Sequence, residues 1–371
     1  MDKVLGIVYF EKYNVKVGEM NKDYNISTLS FLGRYRIIDF LLSNMSNSGI
    51  NEIQIYNNKS TKSLIEHIGD GTNYNINSKK GNISIFPVGF ESTHNLYNHD
   101  IATFKKYIRY IRDSKSQYIL IAPSHYIYKV DFKSVYNAHI NSNSDITVLY
   151  SKEKNCKVEF TDCNILNLND DDTIKSFKKN TATANVCDVA LDAYLINKDV
   201  FLNIIKTAPQ ISEMYELSDM INEYTSKFKV TGYKVKNNVH LINSLNAYFE
   251  KSLLLKDCVA IKKSYDENWP LYTLTNDSSP TIYGEDVVIK NSLISNGCTI
   301  DGNVENCVIG RNVVIKKGTR CKNCIILAES FIAADSYLEN VIVDKSANVF
   351  HTKKIVGTKE NPIYIQRFGI V

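Results

Sequence analysis

Apolar and polar positions follow different periods along the chain, and each period predicts a different kind of element. Residues 4–10 are almost wholly apolar, as expected for a parallel strand that is buried on both faces. Within residues 37–45 apolar side chains recur at helical spacing, and Asn47 to Gly49 supply the turn chemistry that ends a helix. A strand follows at residues 52–56. A strand, a loop, a helix and a second strand form the opening βαβ unit of a parallel sheet.

Similar segments continue as far as about residue 250. Apolar runs predict further strands at residues 83–86, 118–123, 145–150 and 164–168. Helical periodicity predicts helices at residues 61–68 and 100–114, and a further helix follows this region at residues 251–261. This alternation is typical of an α/β fold, here a Rossmann-like domain with a mostly parallel sheet.

From about residue 281 the apolar positions fall six residues apart within successive runs, which is neither a helical nor a hairpin period. The first run is Ile282, Val288, Ile294 and Ile300; after an offset the period resumes at Val308, Val314, Ile326, Ile332 and Leu338, with Arg320 as an exception, and it continues at Val343, Val349 and Ile355. Such a period is that of the hexapeptide repeat in a left-handed parallel β-helix. We therefore predict three parts: an α/β domain at 1–250, a helix and linker at 251–280, and the β-helix at 281–371.

Composition excludes several classes of function. The chain has 371 residues, of which 44% are hydrophobic, so it can bury a large core and is not disordered. Its 44 basic and 40 acidic residues leave a net charge of +4 without a polybasic block, which argues against nucleic acid or membrane as partner. No stretch approaches 18 apolar residues, and the first ten are not typical of a secretory signal. We expect a soluble, cytoplasmic protein.

Eight cysteines are scattered through the chain without secretory features, so free thiols are expected rather than a disulfide framework. Cys321 and Cys324 form a CxxC pair that raises a zinc hypothesis. A structural zinc site needs two further ligands, however, and the repeat period already accounts for this segment.

Residues 31–51 read FLGRYRIIDFLLSNMSNSGIN, and this stretch names a family. The sequence resembles the ADP-glucose pyrophosphorylases (glucose-1-phosphate adenylyltransferases), whose motif here is roughly F-G-G-[KR]-[FY]-R-[IL]-I-D-F-x-L-S-N-x-x-N-S-G-I. The matching positions are Gly33, Arg34, Arg36, Asp39, Ser43, Asn44, Asn47, Ser48 and Gly49. The resemblance continues at residues 63–71, SLIEHIGDG, and into the hexapeptide repeats, so it covers nearly the full chain. It implies a nucleotidyltransferase domain followed by a left-handed β-helix.

The places where the family holds its substrates are altered. After the first strand the family has a glycine-rich phosphate loop, whereas this chain has residues 11–16, EKYNVK. In active members two aspartates hold Mg²⁺, which bridges phosphate oxygens. The corresponding positions here are Ser124 and Leu241, so the resemblance implies neither catalytic residues nor a metal site in this chain.

Other family positions survive in part. Lys16 stands where the family has its loop arginine, and Lys179 matches the lysine that binds the sugar phosphate, so both are candidate vestigial substrate-binding residues. Asp192 replaces a family glycine. Arg36 matches a residue that binds sugar-phosphate activators in active relatives, with Arg34 beside it, which makes this pair a candidate effector site.

Scaffold motifs thus persist while the phosphate loop and both metal carboxylates are lost. This pattern resembles the non-catalytic, GlgD-type branch of the family. It implies a catalytically impaired regulatory subunit of glycogen biosynthesis that assembles with an active subunit, in a mixed tetramer, and responds to sugar-phosphate effectors. Such a chain needs no cofactor of its own, and Mg²⁺ is expected in the catalytic partner.

Two alternatives remain open from the sequence. The chain is an active adenylyltransferase if its metal ligands come from elsewhere, with Asp39, Asp100 or Asp131 as candidates. It is a hexapeptide acyltransferase if the β-helix carries a catalytic histidine, for which His351 is the candidate.

Overall fold

The structure is a computed structural model that describes residues 1, 3–9, 17–22, 25–76, 79, 81–89, 99–256, 265–275 and 277–371. By compactness the chain divides into two units. The first comprises Met1–Asn14 and Phe40–Leu241, and the second comprises Val15–Asp39 and Ile242–Val371. The segment with Arg34 and Arg36 therefore groups with the C-terminal repeats. The boundaries inferred above near residues 250 and 280 stay a prediction.

Strands and helices follow one another as the periodicity predicts. The strands up to residue 241 are β1 (Val4–Tyr9), β2 (Ser30–Phe31), β3 (Tyr35–Arg36), β4 (Glu52–Asn57), β5 (Asn82–Pro87), β6 (Tyr118–Pro123), β7 (Tyr126–Ile127), β8 (Ile146–Lys154), β9 (Asn164–Leu168), β10 (Ile174–Lys179), β11 (Val186–Asn197), β12 (Val230–Lys234) and β13 (His240–Leu241). The helices are α1 (Ile37–Asn47), α2 (Lys62–Ile68), α3 (Asp100–Lys106), α4 (Ile108–Asp113), α5 (Phe132–Asn141), α6 (Lys198–Ile211), α7 (Leu217–Glu223) and α8 (Leu245–Leu255).

The first unit is built on a mixed sheet whose order is β10, β9, β11, β6, β1, β4 and β5, with β8 and β12 attached beside β11. Strands β6, β1, β4 and β5 are mutually parallel, whereas β11 runs antiparallel to β6, β8 and β9. All of β1 is buried, as its apolar sequence requires. Because β1 and β6 are parallel neighbours, their carboxyl ends lie at the same edge of the sheet.

Two helix predictions need correction. The helix predicted at 100–114 is broken at Tyr107, whose backbone leaves the helical region at φ −104° and ψ 15°. The Tyr107 ring packs on Phe86 and its hydroxyl donates to the Pro87 carbonyl, so tertiary contacts at this residue outweigh the helical pattern. The helix predicted at 251–261 begins earlier, because the Ser244 hydroxyl caps α8 by accepting from the Ala247 N–H at 3.1 Å.

The C-terminal repeats form three all-parallel sheets, as expected for a left-handed β-helix, so the predicted fold class is confirmed. Their strands are β14 (Ile282–Tyr283), β15 (Ile289–Lys290), β16 (Leu293–Ile294), β17 (Thr299–Ile300), β18 (Asn303–Glu305), β19 (Val308–Ile309), β20 (Val314–Ile315), β21 (Arg320–Lys322), β22 (Ile325–Ile326), β23 (Phe331–Ile332), β24 (Tyr337–Glu339), β25 (Val341–Val343), β26 (Asn348–Val349), β27 (Lys354–Val356) and β28 (Ile363–Ile365). Their inward side chains share one hydrophobic core.

The phase of the repeat differs from the prediction at its start. Tyr283, and not Ile282, is aligned with the inward Ile300, and Ile315, and not Val314, continues that column. Several of these strands have two residues, both apolar. The six-residue period fits either residue and so does not show which of the two points inward. From Ile326 onward the predicted positions are buried in the core.

An asparagine ladder runs along one corner of the β-helix. Asn291, Asn306, Asn323 and Asn340 all have left-handed backbone angles, with φ between 44° and 54°. Each side-chain N–H donates to the carbonyl of the next asparagine, and Asn340 donates to Gly357. Asparagine tolerates this conformation better than other residues with a Cβ, so the ladder stabilises the turns that join the strands.

Candidate functional site

Ser124 lies at the carboxyl end of β6, and Leu241 pairs with a residue two positions after Ser124 in the chain. Ser124 follows directly after the strand, and Leu241 pairs with Tyr126 in the short antiparallel ladder of β13 and β7. Both side chains are buried, at 0% and 4% exposure. The Ser124 hydroxyl finds no hydrogen-bond partner among the residues described. Neither position carries a carboxylate.

Asp192 lies inside the same unit, at a bulge in β11 where the register with β8 shifts. Its φ of 51° is in the left-handed region that favours glycine, which accounts for the family glycine at this position. The buried carboxylate accepts hydrogen bonds from the Tyr194 hydroxyl at 3.1 Å and the Asn164 amide at 3.5 Å. A negative charge and its partners thus fill space that a glycine leaves open.

Buried tyrosines crowd around this carboxylate. Burial, followed by the charge of Asp192, raises the pKa of Tyr9 and of Tyr194 well above the usual value. The pKa of Tyr126 rises for the same first reason, and its hydroxyl contacts the Cys163 thiol. Sequence reasoning did not single out these tyrosines, because each reads as an ordinary core aromatic of its strand.

Two further carboxylates, Asp100 and Glu216, also raise the pKa of Tyr9, so negative charge accumulates near the end of β1. Asp100 accepts from the N–H groups of Ile101 at 2.7 Å and Leu217 at 3.0 Å. It therefore joins the start of α3 to the start of α7. Charges of this sign disfavour a triphosphate, whose oxygens are themselves anionic.

The other alternative metal ligands have local structural roles as well. Asp39 is buried and accepts from the Arg36 N–H at 2.9 Å at the start of α1. Asp131 caps α5 by accepting from the Lys133 N–H and the Ser134 hydroxyl. Within the described ranges, no group of three or more His, Cys, Asp or Glu side chains could hold a metal ion.

Of the two candidate substrate-binding lysines, the structure describes only Lys179. Lys16 lies outside the described residues. Lys179 is exposed at the end of β10, opposite Asn164, which is the residue that donates to Asp192. The next residue, Asn180, is buried and donates to the carbonyls of Cys156 and Phe160, so it fixes the loop that follows the lysine.

In the second unit, Arg34 and Arg36 lie on the β2–β3 hairpin. Its turn requires Gly33, whose φ is +76° and where a Cβ would lie 3.0 Å from the Ile309 carbonyl oxygen and 2.4 Å from the Ser295 hydroxyl. The hairpin is thereby held against the β-helix. The motif in the sequence includes Gly33, but no sequence pattern indicates that Ser295 and Ile309 lie beside it.

The β-helix adds three cations to this hairpin. Burial, then the charges of Arg36 and Arg367, lower the pKa of Lys345 to about 8. Burial and Arg34 likewise lower the pKa of Arg311. We call Arg34, Arg36, Arg311, Lys345 and Arg367 the basic cluster. No sequence pattern indicated Arg311, Lys345 and Arg367 as members of one site, because they come from different turns of the β-helix.

The cysteines behave as isolated thiols. All seven that the structure describes are free. Cys321 and Cys324 are buried in the β-helix core, and burial raises the pKa of Cys321 and of the neighbouring Cys307 well above its usual value. The side chains of Cys321 and Cys324 both belong to the hydrophobic core of the β-helix, so the CxxC pair is a core feature. His351 is exposed.

Comparison with known proteins assigns the first part of the chain. A family model described as nucleotidyl transferase matches residues 22–257. The chain belongs to that family. A second model, described as a GlmU-like C-terminal hexapeptide, matches residues 281–364.

Similar curated proteins cover most of the chain. The chain is 26% identical to the glycogen biosynthesis protein GlgD of Bacillus subtilis (strain 168), covering 100% of this chain and 97% of that protein. It is 29% identical to the GlgD of Geobacillus stearothermophilus, over 85% and 82%. It is 26% identical to a glucose-1-phosphate adenylyltransferase of Clostridium perfringens (strain SM101 / Type A), over 85% and 82%. Among the described helices, none is long and apolar enough to cross a membrane.

Proposed function

We propose that this nucleotidyl transferase family member acts in glycogen biosynthesis as a catalytically impaired regulatory subunit. It assembles with an active glucose-1-phosphate adenylyltransferase chain, in a mixed oligomer in the cytoplasm, and modulates it. The similar proteins named above support the pathway and the reaction, in which ATP and glucose 1-phosphate give ADP-glucose and pyrophosphate. These similarities give no evidence on the regulatory role, which we infer from the residues at positions 124 and 241.

The main support is the pair Ser124 and Leu241. Mg²⁺ is bound by hard oxygen ligands, with one or two carboxylates fixing it beside substrate phosphates. A neutral hydroxyl and a hydrocarbon side chain do not fit such an ion. The buried Asp192 adds negative charge without reaching a metal-binding arrangement among the described residues. The metal that neutralises the α-phosphate is therefore expected in the active partner only.

The first experiment compares ADP-glucose formation by this chain alone, by the adenylyltransferase alone and by the co-expressed pair. We expect no turnover by the isolated chain, and a pair whose rate or effector response differs from that of the partner alone. Turnover by the isolated chain that is lost in Asp131→Asn or Asp39→Asn would instead favour an active enzyme with relocated metal ligands. A pair that behaves as the partner alone would contradict the modulatory role.

The basic cluster is the proposed effector site, and an anionic sugar phosphate is its proposed ligand. Burial and, after it, the charges of Arg36 and Arg367 lower the pKa of Lys345 to about 8, so these three cations lie near one another. Phosphate groups relieve such repulsion and are well matched by arginine. Because Lys345 loses its charge above pH 8, binding should weaken between pH 7 and pH 9.

Calorimetric titration with fructose 1,6-bisphosphate at both pH values tests this site. We expect Lys345→Gln to lower the affinity at pH 7 and to remove most of the difference between pH 7 and pH 9. Lys317→Gln, at an exposed position of the same β-helix, is the matched control. Equal affinity in the wild type and Lys345→Gln would contradict an effector role for the cluster.

A further inference from the structure

One face of the β-helix carries charges of alternating sign. Strands β15, β18, β21, β24 and β27 form one of its three sheets, with neighbouring strands in parallel register. Val304, Cys321 and Leu338 of this sheet belong to the hydrophobic core. Because side chains alternate along a strand, the residues on either side of these three point outward.

Four of the outward residues form a column, which we call the charged column. Lys290, Glu305, Lys322 and Glu339 are aligned with one another on four successive coils, so their charges read plus, minus, plus, minus. The first three side chains are exposed and that of Glu339 is half-buried. Neighbouring strands lie about 4.8 Å apart, so the column is about 14 Å long.

Ion pairing within the chain involves only half of the charged column. Lys322 and Glu339 form an ion pair in which Nζ lies 3.2 Å from Oε1. Neither Lys290 nor Glu305 takes part in an ion pair with another residue that the structure describes. The first two charges of the column are therefore available to a partner.

We propose that the charged column is a homotypic interface, against which a second copy of this chain packs its own column in reverse order across a two-fold axis between Glu305 and Lys322. Lys290 then faces the second copy's Glu339. Glu305 faces the second copy's Lys322. Since the axis repeats both contacts, the interface holds four pairs of opposite charge, and no like charges face each other.

The alternation of charge selects a second copy as the occupant. A two-fold contact uses the same surface on both subunits, so that surface must complement itself. A column of four alternating charges is complementary to its own reverse. A partner of uniform charge, such as a nucleic acid or an acidic peptide, would meet like charges at two of the four positions.

The same alternation selects one register. A shift of the second copy by one coil in one direction would place Glu305 opposite the second copy's Glu305. A shift in the other direction would place Lys322 opposite the second copy's Lys322. Both shifts are disfavoured, because they bring like charges together.

The neighbouring outward column fits this register as well. Asn303, Arg320 and Tyr337 are aligned one position before the core residues, and Val288 begins their column. In reverse order the apolar Val288 faces the ring of Tyr337, and Asn303 faces Arg320. The Asn303 side-chain oxygen accepts from the Val288 N–H at 3.0 Å and has a second lone pair for the arginine. The proposal goes beyond the regulatory function and does not depend on it, since it concerns copies of this chain with each other.

Zero-length cross-linking of the full chain with a water-soluble carbodiimide tests the register. Within one chain Lys290 and Glu339 are three strand spacings apart, about 14 Å, which is too far for an amide bond between their side chains. We therefore expect a Lys290–Glu339 cross-link that joins two copies. In a mixture of ¹⁵N-labelled and unlabelled chains, mass spectrometry should find cross-linked peptides with one labelled and one unlabelled half.

Sedimentation velocity over a range of concentrations tests the charges. Lys322→Glu and Glu305→Lys each bring like charges together twice across the axis, so each should weaken self-association at least about tenfold. An equimolar mixture of the two variants should restore the wild-type assembly, because the two introduced charges then face each other. Lys206→Glu, at an exposed lysine of α6, is the matched control and should associate as the wild type does.

Circular dichroism separates loss of association from loss of fold, and the recovery of the mixture requires both variants to be folded. A wild-type chain that stays monomeric, or one that yields no Lys290–Glu339 cross-link, would overturn the proposal. Folded variants that associate normally, or a mixture that fails to recover, would do the same. So would variants that lose association only with the adenylyltransferase chain.

Discussion

His139 shows how a single buried residue ties stability to pH. Its Nε2 donates to the Asn197 side-chain oxygen at 3.0 Å, and its Nδ1 accepts from the Thr147 hydroxyl at 2.8 Å, a pattern that fits a neutral ring. Burial lowers the pKa of His139 below 6.5, although the bond to Asn197 and the charge of Asp145 oppose the change. The unfolded chain therefore binds this proton more readily. The free energy of unfolding should fall as the pH drops below 6.5.

Urea unfolding at pH 7.5 and pH 5.5 measures this effect. His139→Gln cannot titrate, so it should lose part of the wild-type difference between the two pH values. His351→Gln removes an exposed histidine and should keep the full difference. An unchanged pH dependence in His139→Gln would show that this ring does not contribute.

Two constraints favour glycine at position 33: a positive φ and close neighbouring atoms. Substitutions at two glycines can separate these effects. Gly33 and Gly18 both have positive φ, +76° and +63°, but a Cβ would meet Ser295 and Ile309 only at Gly33. We expect Gly18→Ala to cost about 1 kcal/mol from backbone strain alone. Gly33→Ala should cost at least about 2 kcal/mol, because the contact is added to the strain. Thermal unfolding measures both, and equal losses would mean that the hairpin moves away without cost.

The asparagine ladder makes a matching prediction for the corner of the β-helix. Asn323 bonds to the asparagines on both sides, at 2.6 and 3.1 Å, whereas Asn291 at the end of the ladder bonds to one. Both have left-handed backbone angles, so the strain on replacement by alanine is similar. Asn323→Ala should therefore cost about 1 kcal/mol more than Asn291→Ala, the value of one hydrogen bond. Urea unfolding midpoints compare the two, and equal losses would argue against the ladder.

Helices and strands were predictable where their apolar pattern is local. They were less predictable where tertiary contacts determine the backbone conformation. The buried strand β1 and the helix α1 follow from apolar spacing alone. The break at Tyr107 does not, because it depends on a strand that lies about twenty residues earlier. Nor does the alignment of Tyr283, and not Ile282, with the inward Ile300, since neighbouring apolar residues fit the same six-residue period.

At the scale of the whole molecule, the loss of a carboxylate at a single position could be inferred from the sequence. A site assembled from distant residues was harder to infer. The absence of carboxylates at Ser124 and Leu241 is a property of single positions, and the structure adds that Leu241 pairs with Tyr126, two residues after Ser124. The basic cluster is different. Lys345 and Arg367 join Arg36 only because the hairpin folds with the β-helix, which no motif at either position indicates.

If the regulatory subunit acts through the basic cluster, its effect should appear in a co-expressed pair with an active adenylyltransferase. Arg36→Gln or Lys345→Gln in this chain should reduce the response of the pair to fructose 1,6-bisphosphate, while the rate without effector stays unchanged. The reason is that both cations would bind the phosphate groups, whereas neither belongs to the unit that contains Ser124 and Leu241. ADP-glucose formation at increasing effector concentration measures the response, with Lys317→Gln as the control. An undiminished response would assign effector binding to the active chain alone.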